Sequence, residues 1–268
     1  MAPVLAPVTD RRVTRRAAFD RVADLYDRIR PGYPAALFDD LADIAGLRPG
    51  ATVLEIGCGT GQASIAVAER GWHLLAVDIG TRMAELAAKR LAGYSDARVV
   101  VADFDRWMPD ETGFDVVFSA TAFHWLDPAT RFARTADLLA PGGVLATVAT
   151  HHIVGGTEDF FVDVQACYRR FDPTTTPADG IRLLAAQVPF DTALGDNYQR
   201  PVFRRYEWSA EYDTADYLDL LRTYSPTLAM SQPAGEGLLR SIGQLIDGRY
   251  GGRITKRYLT ELRVARKA

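Results

Sequence analysis

Gly57, Gly59 and Gly61 follow directly on the apolar run Val53-Leu54-Glu55-Ile56, and this pattern constrains the fold more than any other in the chain. Val53, Leu54 and Ile56 suit a strand buried on both faces of a parallel sheet. The glycines then let the backbone turn sharply and leave no side chains above the turn, so a ligand can lie against the backbone before a helix begins. The segment reads as strand, tight turn, helix.

The same rhythm continues downstream. After the helix over about 61–70, a second strand over 73–77 ends on Asp78, a helix occupies 81–91, and a third strand over 98–102 ends on Asp103. Strand four is placed at 114–118, a helix near 130–139, and strand five at 143–149 after the Pro141-Gly142 turn. Such alternation predicts an α/β fold, a mostly parallel sheet with helices on both faces. Upstream, Phe19, Val22, Ala23, Tyr26 and Ile29 mark an amphipathic helix from about 13 to 30, and a second helix is expected from 35 to 45. Residues 1–12 read as a mobile tail.

Beyond Thr150 the rhythm breaks. Residues 157–190 look helical and carry Phe160, Phe161, Tyr168 and Phe171; 202–208 alternates as a strand, 214–224 and 235–246 read as helices, and 254–264 as the closing strand. Four regions result: 1–48, a tail and cap helices; 49–150, the core; 151–201, a helical lid segment; and 202–268, closing strands with inserted helices. Instead of a lid, the aromatic segments could form a second hydrophobic layer against the far edge of the sheet.

Composition excludes several classes. The 268 residues carry a net charge of -3, which gives no global drive toward nucleic acid or anionic membranes. Two cysteines, Cys58 and Cys167, argue against a disulfide scaffold and fit a reducing cytoplasm. Arg15-Arg16 resembles an export signal superficially, but Asp20, Arg21, Asp24, Asp27 and Arg28 interrupt any apolar stretch, so a cytoplasmic protein is expected. No run reaches the ~18 apolar residues of a membrane span.

In an open parallel sheet, ligands bind beyond the carboxyl ends of the strands. Glu55, Asp78 and Asp103 all fall there, and Asp78 is placed to accept hydrogen bonds from two ribose hydroxyls. The glycine turn does not match the pyrophosphate fingerprint: read from Gly57 its last position is Gln62, and read from Gly59 it is Ser64. No phosphate-binding lysine follows either. A nucleoside without a pyrophosphate is favoured.

Glu55-Ile56-Gly57-Cys58-Gly59-Thr60-Gly61, Val77-Asp78, Ala102-Asp103-Phe104, Phe114-Asp115-Val116-Val117 and Leu139-Ala140-Pro141-Gly142-Gly143 together resemble the ordered motifs of class I S-adenosylmethionine-dependent methyltransferases. Tyr26 to Pro34 and Ser119 to Trp125 resemble the small-molecule branch that includes trans-aconitate methyltransferases. The resemblance implies a Rossmann-like sheet of seven strands with the last one antiparallel, S-adenosyl-L-methionine as cofactor, and a small-molecule acceptor methylated on a carboxylate or hydroxyl oxygen. It places Gly57, Cys58, Gly59 and Gly61 against the methionine part, Glu55 near its amino group, and Asp78 with Ile79 at the ribose. Asp103, Phe104 and Met83 would surround the adenine, and the Ser119-Ala120 backbone would meet the amino-acid end. Tyr26 and Tyr33 are placed to close over it.

His124 follows strand four, where the donor methyl is expected, and is the candidate base for a hydroxyl acceptor; a carboxylate acceptor needs none. Trp125 and His151 are candidate pocket walls. No metal is expected from His151-His152, since adjacent residues on a strand point to opposite faces. One rival is a nucleic-acid methyltransferase, using Arg11, Arg12, Arg15, Arg16, Arg253, Lys256, Arg257, Arg263, Arg266 and Lys267 as a patch; these read better as solvated flanks. Two more rivals are an NAD-dependent oxidoreductase and a nucleoside-binding protein without chemistry. Cys58, hindered inside the turn, is not expected to act as a nucleophile.

Overall fold

A computed structural model describes residues 19–172, 174–176, 180 and 182–268. The expected tail and the basic residues Arg11, Arg12, Arg15 and Arg16 lie outside them. Two helices, α1 (Ala23–Ile29) and α2 (Ala35–Ala45), precede the sheet; Pro31 separates them, and Gly46 closes α2 in the left-handed conformation that glycine adopts without strain.

Then come β1 (Thr52–Ile56), α3 (Ser64–Glu69), β2 (His73–Asp78), α4 (Thr81–Arg90), β3 (Ala97–Val101), β4 (Phe114–Ala120), α5 (Arg131–Leu138) and β5 (Leu139–Gly156). They are followed by α6 (Glu158–Phe171), β6 (Val202–Asp213), α7 (Thr214–Arg222), α8 (Ser225–Ala229), α9 (Gln232–Arg249) and β7 (Arg253–Arg266). The seven strands run in the order β3-β2-β1-β4-β5-β7-β6. Strands β1 to β5 are parallel, and β7 is antiparallel between β5 and β6.

This is the Rossmann-like sheet expected from the alternation. Strand order reverses beside β1, where β2 lies on one side and β4 on the other, so the crevice for a ligand opens at the carboxyl end of β1. Val53 and Leu54 point to opposite faces and enter separate cores, one with Leu37, Phe38 and Phe118, the other with Val77, Val117 and Leu145. A doubly buried strand needs this continuous apolar run.

Three elements differ from expectation. Strand β5 is far longer than 143–149: β4 ends where Ala120 pairs with Val148, while β5 continues through His152 paired with Tyr258 to Gly156 paired with Lys256. Strand β6 extends to Asp213 rather than stopping at Trp208, because its partner β7 is equally long. The helix expected over 157–190 stops at Phe171, where Asp172 leaves the helical conformation. The antiparallel ribbon thus overhangs the parallel sheet, and α6, α7 and α9 pack on it through a third core that includes Phe160, Tyr217, Leu238, Ile242 and Tyr258. No helix among the described residues is long and apolar enough to cross a membrane.

Candidate cofactor site

Gly57, Gly59 and Gly61 all have positive φ, at 70°, 58° and 87°, so the turn needs glycine for its backbone path alone. Gly57 is constrained a second time: a Cβ there would stand 2.4 Å from the Ala122 Cβ. The amides of Gly57 and Cys58 both donate to the Val77 carbonyl, at 2.8 and 3.2 Å, and fasten the turn to the end of β2.

Asp78 joins the two. One carboxylate oxygen accepts from the Gly59 amide at 2.9 Å and the other from the Gly80 amide at 2.7 Å. A carboxylate oxygen can accept more than one hydrogen bond, so these two amides fix the orientation of the group without exhausting it as an acceptor. Asp20 reaches across from the N-terminal segment to accept from the amides of Thr81 and Met83, at the otherwise unsatisfied start of α4. That contact brings Phe19 beside the same site.

A cavity of about 460 Å³ opens here, within the range of small-ligand sites. Gly57, Gly59, Asp78, Ile79 and Gly80 form its floor; Met83, Asp103 and Phe104 line one end, and Tyr26, Ala120, Thr121 and Trp125 the other. Asp103 accepts from the Asp105 amide at 3.2 Å, which orients its carboxylate at the strand end. A second cavity, about 320 Å³, lies at the opposite, amino ends of β1, β4 and β5 beside Ala51, Asp115 and Gly143. It gathers neither the glycine turn nor the strand-end acids.

The remaining predicted residues fall behind or outside the cavity. Glu55 is 1% exposed, accepts from the Ser64 hydroxyl at 2.6 Å, and is pushed up to about 8 by burial. Ser119 is spent on the Ile56 carbonyl at 2.9 Å, tying β4 to β1. Gly61 packs the turn onto α4, where a Cβ would come within 3.3 Å of Ala87. Burial pushes the Cys58 thiol well up, as suits a passive residue. Tyr33 donates to or accepts from the Thr121 hydroxyl at 3.0 Å, and Thr121 is the one non-glycine residue with positive φ among the described residues, at 54°.

His124 is exposed and does not line the cavity; its neighbour Trp125 does, with the two rings 4.6 Å apart. His151, half-buried on β5, also lies outside the lining, and burial lowers its pKa. The solvated-flank reading of the C-terminal basic residues fails for Lys256 and Arg263, each 5% exposed, because the overhanging ribbon carries them inside. Sequence reasoning missed Phe19, Asp20 and Thr121; only the apolar spacing of α1 hinted at the first.

Residues 53–143 match a family described as methyltransferase domain. An uncharacterized methyltransferase of Mycobacterium tuberculosis is 32% identical over 131 residues, 49% of this chain and 51% of that protein. The malonyl-[acyl-carrier protein] O-methyltransferase of a Marinomonas species is 30% identical over 128 residues, 47% of each chain. The structure of Haemonchus contortus phosphoethanolamine N-methyltransferase 2, in complex with phosphomonomethylethanolamine and S-adenosylhomocysteine, superposes with a TM-score of 0.52 at 18% identity, over 99% of this chain and 61% of that one. That likeness is one of fold.

The chain spans about half the length of the curated relatives it matches. Residues 53–143 are a methyltransferase domain, and its cofactor is S-adenosylmethionine. The cavity fits this group: the floor is a cradle that a Cβ at Gly57 would disrupt, and a clamped carboxylate stands at the end of β2.

Proposed function

We propose that the protein transfers a methyl group from S-adenosylmethionine to an oxygen of a small-molecule acceptor, with a carboxylate as the preferred acceptor group. The observation that carries the reading is the Asp78 carboxylate, locked by the Gly59 and Gly80 amides at the floor of the cavity. Asp78 would hold the ribose hydroxyls, Asp103 and Phe104 the adenine, and the Gly57–Gly59 backbone the methionine portion. Tyr26 and Trp125 would bound the side on which the acceptor arrives.

The cofactor supplies a methyl carbon on a sulfonium that leaves as a neutral thioether with the bonding electron pair, so an acceptor oxygen can displace it without another reagent. The chain's task is alignment and exclusion of water. A carboxylate is already ionised at neutral pH and asks for no base. The exposed position of His124 agrees with that chemistry, as does the presence of an O-methyltransferase among the relatives.

Incubation with methyl-labelled S-adenosylmethionine and a pool of small organic acids tests the acceptor atom. Carboxyl methyl esters release labelled methanol in mild alkali, whereas methyl ethers and methylamines do not. Alkali-labile label is expected; label that survives alkali would move the acceptor to a hydroxyl or an amine.

A further inference from the structure

A file of alternating rings and basic groups leads from the cofactor cavity into the antiparallel half of the molecule. Tyr26 lines the cavity, and the Arg30 guanidinium carbon lies 4.9 Å from its ring centre and 4.5 Å from that of Tyr224. The Lys256 ammonium stands 5.0 Å from the ring centres of both Tyr224 and Tyr258. The His152 ring is 6.3 Å from Tyr258 and 4.3 Å from Phe161, and the Arg182 guanidinium lies 4.7 Å over Phe161. Strands β5 and β7, helices α1 and α6 and the loop after α6 all contribute.

The charge in this file is not balanced. Elsewhere a buried cation meets a carboxylate: Arg205 pairs with Glu261 at 2.6 Å and Arg263 with Asp191 at 3.2 Å. Among the described residues no carboxylate forms an ion pair with Arg30, Lys256 or Arg182. Lys256, 5% exposed, donates to the Tyr224 hydroxyl at 2.9 Å, while Arg30 donates to the side chain and carbonyl of Thr223. Glu158 acts on Arg182 only at longer range, its carbonyl accepting at 3.4 Å.

Two polar atoms here, His152 Nε2 and Arg182 Nη1, are buried without a hydrogen-bond partner among the described residues. Burial, with Lys256 and Arg182 close by, pushes His152 down to about 2, so it is neutral. Burial also raises the Tyr224 phenol, but Lys256 and Arg30 outweigh it and hold the group below its usual value. Buried cations and orphaned donors are costly unless something compensates them, and the groups present all favour an anion.

We infer that this file is the acceptor site and that it selects a small unsaturated or aromatic carboxylic acid, whose carboxylate completes the Lys256, Arg182 and His152 group. The rings of Phe161, Tyr258 and Tyr224 hold the flat carbon skeleton between the cations. A carboxylate gripped by Lys256 and Arg182 has its lone pairs engaged, so it anchors rather than reacts. The methylated oxygen belongs to a second group of the acceptor, directed back toward Tyr26. The inference rests on the methyl-transfer reading and adds the acceptor's class.

Calorimetry on the full chain saturated with S-adenosylhomocysteine tests it. The probes are a panel of unsaturated and aromatic mono- and dicarboxylic acids, each paired with its neutral amide. At least one acid should bind about 10-fold or more tightly than its amide. Lys256→Met should erase that preference while S-adenosylhomocysteine affinity stays within about twofold, and Arg182→Gln should reduce it; replacing a buried cation by an apolar residue of similar volume is commonly tolerated. Should Lys256→Met fail to fold, Arg182→Gln carries the test. No acid preference in the wild type, or a preference unchanged in the variants, overturns the inference. Failure of the wild type to bind S-adenosylhomocysteine overturns the methyl-transfer reading instead.

Discussion

The two halves of the sheet treat charge in opposite ways. At the carboxyl ends of β1 and β2 the ionisable groups are acids, and the backbone satisfies them: Asp78 takes two amides, Asp103 a third. In the overhanging ribbon of β5, β7 and β6 the buried groups are cations and phenols, and the file from Arg30 to Arg182 lacks a carboxylate among the described residues. Backbone-clamped acids suit a ligand with many hydrogen-bond donors, such as a nucleoside. Unpaired cations between rings suit an anion. One half is completed by its own chain, the other by what binds there.

The largest expected effect is Asp78→Ala. It removes the oriented acceptors and leaves the Gly59 and Gly80 amides without their partner, so S-adenosylhomocysteine affinity should fall by about 100-fold or more, ~2.7 kcal/mol. Binding within threefold of wild type would take Asp78 off the ribose. Gly57→Ala should follow closely, because the new methyl meets Ala122 and the left-handed backbone is strained by ~1–3 kcal/mol. Thermal unfolding and cofactor titration report the two losses separately.

Glu55 gives a smaller, pH-dependent signature. Its folded value, about 8, lies above the ordinary carboxylate value of 4.5 that applies to the unfolded chain. Between those two values the folded state keeps a proton that the unfolded state has lost, so stability falls as pH rises from about 4.5 to about 8 and is fullest below that window. Relative to Glu55→Gln, the wild type should lose up to about 1.4 kcal/mol per pH unit there in denaturant titrations. Parallel pH profiles for the two proteins would show that Glu55 is ionised in the fold.

The smallest effect is expected from His124→Ala. An exposed histidine outside the cavity should leave cofactor binding unchanged and turnover of a carboxylate acceptor within about twofold. A loss of about 100-fold would restore His124 as a base and favour a hydroxyl acceptor.

The same contrast explains what the sequence reveals. Strand, glycine turn and strand-end acid are local signals, and Gly57, Gly59, Asp78, Asp103 and Phe104 all reach the cavity from positions readable one motif at a time. The other half depends on distant pairings. Arg30 meets Thr223 across 193 positions, and Lys256 meets Tyr224 from a different element. Periodicity shows that β7 alternates, but not that its partner strand β5 is long enough to draw Lys256 indoors. For the same reason Asp20, 61 positions from the Thr81 amide it accepts from, carries no local mark. His124 shows the converse: its neighbour Trp125 enters the cavity, and position after β4 alone could not tell which of the two would.

Calorimetric titration of the full chain with S-adenosylhomocysteine, and separately with NAD, tests the central claim most directly. One equivalent of S-adenosylhomocysteine should bind, lost in Asp78→Ala, while NAD produces no heat of binding. Micromolar NAD binding with none for S-adenosylhomocysteine would contradict it.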